Sequence, residues 1–173
     1  MVWLKDDGSV RDNIDAITME KQTLKFNLPE GWKVDFKTVE SEDPDGDTYH
    51  TEEYEIFPDA ESIFSHIGVM KDIDGAPATT EELLEYSAQA YLDRWPESLV
   101  PCLYEFIRLC EIQGARDACY CVFQEPHDSA ATIRVVFEAQ DWNMVWVDAD
   151  IKDWAFGNGE AQALDFLSKF FVL

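Results

Sequence analysis

Two runs of alternating hydrophobicity joined by a very short link constrain this chain more than any other feature. Residues 132–140 (TIRVVFEAQ) place Ile133, Val135, Phe137 and Ala139 on one side. Residues 143–151 (NMVWVDADI) do the same with Val145, Val147, Ala149 and Ile151. A period of two puts successive side chains on opposite faces of a strand. The Gln140-Asp141 link is too short for anything but an antiparallel hairpin. Asp148 and Asp150 then share the opposite face with Met144 and Trp146. The chain must therefore build a sheet with one strongly apolar face.

The same period recurs toward the N-terminus. Leu24, Phe26 and Leu28 alternate within Thr23–Leu28, Pro29-Glu30-Gly31 interrupts, and Trp32–Phe36 resumes. Proline removes a backbone donor and glycine permits positive φ, so these two runs are predicted to meet around a turn. Tyr54–Phe57 and Ser62–Met70 read as further strands with Pro58 between them. Ala115–Gln124 is another, set off by Gly114, whereas Tyr104–Ile112 fits either a strand or a helical turn. Two segments show helical spacing instead. Thr79 and Glu82 form a capping-box pattern ahead of Leu83, Leu84, Ser87, Ala88, Tyr91, Leu92 and Trp95, and Pro96 ends the run. A terminal helix opens at Asn158 or Gly159 and carries Ala163, Leu164, Leu167, Phe170 and Phe171. Both stripes read as core-facing. Strands in runs, without regular βαβ alternation, predict an α+β fold: an antiparallel sheet with a mid-chain amphipathic helix and a C-terminal helix packed on it. Residues 1–22 read as an N-terminal arm and residues 23–173 as one domain, a length that supports a substantial core.

Charge decides which partners suit such a body. Asp and Glu number 36 against 13 Lys and Arg, a formal net charge of -23. A hydrophobic fraction of 46%, with 13% aromatic residues, is too high for a disordered acidic tail, so the anions sit on a folded scaffold. Such a surface repels nucleic-acid phosphates and anionic membranes and attracts basic proteins. Solubility or adaptation to high salt would explain the charge equally well. Met1–Asp7 lacks the pattern of a secretory signal, and no apolar run is long enough to span a membrane. The reading is a cytoplasmic protein whose oligomeric state the sequence leaves open.

Catalytic chemistry finds little support. His50, His66 and His127 lie in separate segments, and no phosphate loop, nucleophile elbow or zinc-protease motif occurs. Cys102, Cys110, Cys119 and Cys121 have no histidine at ligand spacing and read as buried, reduced thiols. Asp43-Pro44-Asp45-Gly46-Asp47 alternates carboxylates as calcium loops do, but its glycine is out of register and no closing glutamate follows. No catalytic residue, cofactor or metal is expected. Residues 40–53 read instead as a long acidic loop that meets a partner. Its candidate contacts are Glu40, Glu42, Asp43, Asp45, Asp47, Glu52 and Glu53, with Tyr49 and Tyr54 as aromatic anchors. Ordinary sheet packing is the competing role for both tyrosines.

The order of these elements resembles the PsbP-like fold family. The likeness rests on Leu28-Pro29-x-Gly31-Trp32 between two strands, the mid-chain amphipathic helix and GARDACYCVFQ (114–124). It continues through the paired strands TIRVVFEAQ and NMVWVDADI to the closing ALDFLSKFFV helix. It covers most of the chain from Leu24 onward. The resemblance implies a binding or assembly factor rather than an enzyme, bacterial relatives including chaperones of type VI secretion effectors. The expectation is a non-enzymatic acidic protein that engages a basic partner, as an immunity protein or an effector chaperone. A chaperone would expose an apolar groove on the face bearing Trp146 and Met144, whereas an immunity protein needs a charged face. The alternatives are a nucleic-acid mimic that blocks a DNA-binding protein, or a small enzyme with an unrecognised site.

Overall fold

A computed structural model describes residues 22–42, 44–74, 79–93, 102–124, 129–154 and 159–173. In chain order the elements are β1 (Lys25–Phe26), β2 (Lys33–Glu42), β3 (Thr48–Phe57), β4 (Phe64–Asp72), α1 (Thr80–Leu92), β5 (Cys102–Leu109), β6 (Arg116–Gln124), β7 (Ala131–Glu138), β8 (Met144–Ile151), α2 (Gly159–Phe170) and β9 (Phe171–Val172). Seven strands form one antiparallel sheet in the order β2-β3-β4-β8-β7-β6-β5. It consists of two meanders, β2–β4 and β5–β8, that join where β4 meets β8. The α+β expectation is met at this level.

The inner face carries the alternating residues read from the sequence. Ile133, Val135, Phe137, Val145, Val147 and Ala149 are all fully buried there. Removing each large apolar side chain from water stabilises the fold by roughly 1.5–3 kcal/mol. The stripe of α2 covers this face through Ala163, Leu167 and Phe170. Its aromatic residues continue the layer: Phe166 lies 5.1 Å from both Trp32 and Phe64, and Phe170 stacks 5.1 Å from Phe26. The other helix takes the opposite face. Leu84 and Ala88 of α1 pack on Cys119, Cys121, Phe123 and Val136, mainly over β6 and β7. The Thr79 hydroxyl accepts from the Glu82 N–H at 3.2 Å, as the capping pattern predicts. Thr80 donates to the Asp117 carbonyl at 2.6 Å and ties the start of α1 to β6.

Several expectations need correction. The runs around Leu24–Leu28 and Trp32–Phe36 do not pair with each other. β1 pairs with β9, and β2 pairs with β3. Gly31, at φ 87°, helps turn the chain away, while Phe26 is held by the Phe170 and Phe171 rings at the end of α2. Phe171 accordingly ends in a strand rather than in the helix. Residues 40–53 are not a long loop. β2 and β3 run to Glu42 and from Thr48, so only residues 43–47 connect them. β-Branched Thr38, Val39, Thr48 and Thr51 sustain the ladder, and most of its charges, Glu52 excepted, stand on exposed or half-exposed positions at little cost. The ambiguous Tyr104–Ile112 segment resolves as strand β5 over Cys102–Leu109. The N-terminal arm lies outside the described residues except for Gln22, whose amide donates to the Leu24 carbonyl at 2.7 Å.

Candidate functional site

Strand alternation sorts the acidic candidates onto two faces. Glu53 and Glu55 of β3 stand on the outer face, while Glu52 and Tyr54 point into the inner layer and are each 1% exposed. Glu52 and Tyr54 are therefore structural, correcting their place among the contact residues. Glu40, Glu42, Asp45, Asp47 and Tyr49 lie exposed toward the tip of the β2–β3 hairpin, Glu53 is half-buried, and Asp43 falls outside the described residues. His50 bridges part of this tip, with Nδ1 3.4 Å from Asp74 and Nε2 4.0 Å from Glu40.

Glu52 anchors a polar network that the sequence did not reveal. It accepts from the Thr23 N–H at 3.0 Å, from the Thr23 hydroxyl at 2.5 Å, and from the Tyr54 hydroxyl. The Tyr54 oxygen in turn accepts from the Leu24 N–H at 3.1 Å. Lys71, opposite Glu52 in the ladder and 3% exposed, donates to Thr23 at 2.8 Å and to Asp141 at 2.5 Å. Buried charges persist only when paired and hydrogen-bonded, and here they fasten the segment before β1 to the sheet. Burial, and then the hydrogen bond to Glu52, push the Tyr54 phenol well above its usual range.

Among the described residues no element covers the outer face beyond α1, which holds a cleft of about 360 Å³. Two ladder rows cross the sheet at this cleft, their members Lys37, Asp35 and Val136 lying beyond its lining. One runs Lys37, Glu53, Met70, Trp146 and Val136, the other Asp35, Glu55, Gly68, Asp148 and Arg134. Arg134 forks onto Asp148, with Nε to Oδ1 at 2.7 Å and Nη2 to Oδ2 at 2.8 Å, and its guanidinium lies 5.4 Å above the Phe123 ring. His66 stands at the far side, 5.7 Å from the Phe57 ring and 4.0 Å from Asp150. Trp146 is half-buried and packs against the cluster under α1, whereas Met144 is 2% exposed. Asp148 and Trp146 were expected to share a face. Gly68, Met70 and Arg134 were missed, although a glycine inside a strand is itself a signal of open space or close approach.

The described thiols are poorly placed to act as nucleophiles. Burial pushes the Cys110 and Cys121 thiols up to about 12 and raises that of Cys119 too, so they stay protonated and unreactive at neutral pH. Among the described residues no group of three or more His, Cys, Asp or Glu side chains could hold a metal ion. No described helix is long and apolar enough to cross a membrane. Comparison with protein-family models, with curated proteins and with solved structures finds no match.

Proposed function

We propose that this chain is a non-enzymatic binding protein that captures a basic protein partner, in the manner of an immunity protein directed at a cationic toxin. One observation carries the reading. The half of the sheet left open by α1 is rich in carboxylates, with Asp35, Glu53, Glu55, Asp148 and Asp150 on one surface. That surface belongs to a chain of net charge -23. Charge complementarity of this kind speeds encounter with a basic protein and selects against acidic ones. The chaperone version is less favoured. It needs a broad apolar groove, and Met144 is buried while Trp146 is half-buried against the cluster beneath α1. The resemblance to PsbP-like proteins enters only as a general leaning toward binding and assembly roles.

A hexa-arginine peptide titrated by calorimetry tests the reading. Binding should be present at about 0.05 M salt and weaken steeply by about 0.3 M, as screening shortens the reach of surface charge. No binding at the lower salt would refute it. Replacing Glu40, Glu42, Asp45 and Asp47 with their amides should slow association, since rim charges act mostly on encounter.

A further inference from the structure

The cleft floor has an unusual interruption. Glu55, Gly68 and Asp148 are direct ladder neighbours on three adjacent strands, and the middle position has no side chain. A methyl group placed there would touch the edge of the His66 ring, at 3.7 Å, so that ring forms one wall of the slot above Gly68, and beyond its chain neighbours no other described atom lies within 4 Å. Glu55 and Asp148 therefore flank the glycine on its two sides, their backbones about 10 Å apart at two strand spacings. Asp35 stands directly opposite Glu55 on the other side, and like charges in that relation repel. Arg134 does not fill the slot, because its fork engages Asp148 from the β7 side. Among the described residues no basic side chain lies within 4.0 Å of Glu53 or Glu55. The neighbouring row supplies an apolar shelf, Met70 beside Trp146, one step along the strands.

We infer that this slot is a socket for an arginine side chain of the basic partner. The guanidinium sits over Gly68 between Glu55 and Asp148, and the aliphatic stem lies along Met70 and Trp146. A planar guanidinium forks onto carboxylates and stacks on indole, and its weak hydration lowers the cost of entering a cleft. This assignment rests on the proposed function above and locates its specific contact away from the hairpin tip.

The test uses the full chain with three probes: acetyl-Gly-Arg-Gly-amide, the hexa-arginine peptide and spermidine. Nuclear magnetic resonance titration should move the Gly68 amide and the Trp146 indole signals when the arginine tripeptide is added. The citrulline analogue, equal in shape but neutral, should move neither. Gly68→Val fills the slot and should weaken both arginine probes at least about tenfold. Glu55→Gln, at an exposed position that leaves the core intact, should weaken them severalfold. Circular dichroism checks that both variants fold. Retained affinity in both variants, or shifts confined to residues 40–50, overturns the socket while leaving the acidic-surface reading in place. Failure of hexa-arginine to bind the unaltered chain overturns both. Spermidine moving the same signals with equal affinity overturns the assignment to a partner side chain in favour of a free polyamine.

Discussion

Glu52 and Glu53 are neighbours in sequence with opposite roles, and Glu52→Gln beside Glu53→Gln separates them. Glu52 receives three hydrogen bonds, one from the Tyr54 hydroxyl in a site 1% exposed and two from Thr23. An amide offers one acceptor oxygen and presents donor hydrogens where the carboxylate presented lone pairs. Losing the charged acceptor at buried Tyr54 costs about 2 kcal/mol, and the pair to Thr23, which water can reach, adds about 1 kcal/mol. For a chain of this length a loss of about 3 kcal/mol lowers Tm by about 6–12 °C. Glu53 lies on the outer face opposite Lys37 and Met70, and its substitution should stay within about 0.5 kcal/mol of the parent. Thermal and urea denaturation followed by circular dichroism measures both. In a Tyr54→Phe background the Glu52→Gln loss should shrink by about 1–2 kcal/mol, because the two groups are coupled. Equal melting of the two amide variants, or an undiminished loss in the Tyr54→Phe background, would refute this division of roles.

Three further outcomes can be measured, the first two set by burial. The thiols of Cys110 and Cys121 titrate near 12 in the folded chain against an ordinary value of 9.0, so their contribution is complete below pH 9 and lost as pH rises toward 12. Each should lower stability by about 1.4 kcal/mol per pH unit in that window, read by urea denaturation; a flat profile would show that the thiols reach water. Ile133→Ala, at a fully buried position under α2, should cost about 2–5 kcal/mol in the same assay, and a smaller loss would mean that this layer is loosely packed. Calcium added to the chain should release no heat in calorimetry, since the 43–47 connection lacks a closing glutamate at calcium-loop spacing.

Local periodicity by itself determined most of the elements and which side chains share a face. The β7–β8 hairpin, the apolar set on each of its strands and the stripes of both helices follow from spacings of two and of three to four residues. Net charge likewise follows from composition, and with it the proposal of a cationic partner. Dense acidity misled the reading of residues 40–53, because exposed strand positions tolerate charge and only the inner positions report the ladder. Glu52 shows the cost of that error: its alternation with Glu53 was legible, yet charge outweighed phase.

Only the tertiary structure decided which strands lie side by side. β4 meets β8 and not β5, β1 meets β9, and the helices take opposite faces. These pairings join segments far apart in the chain, and no local pattern encodes them; they depend on how whole faces fill one another. Gly68 is an ordinary strand glycine until the fold sets it between Glu55 and Asp148. The slot exists because three distant segments are in register, a property of the assembled sheet rather than of any one of them.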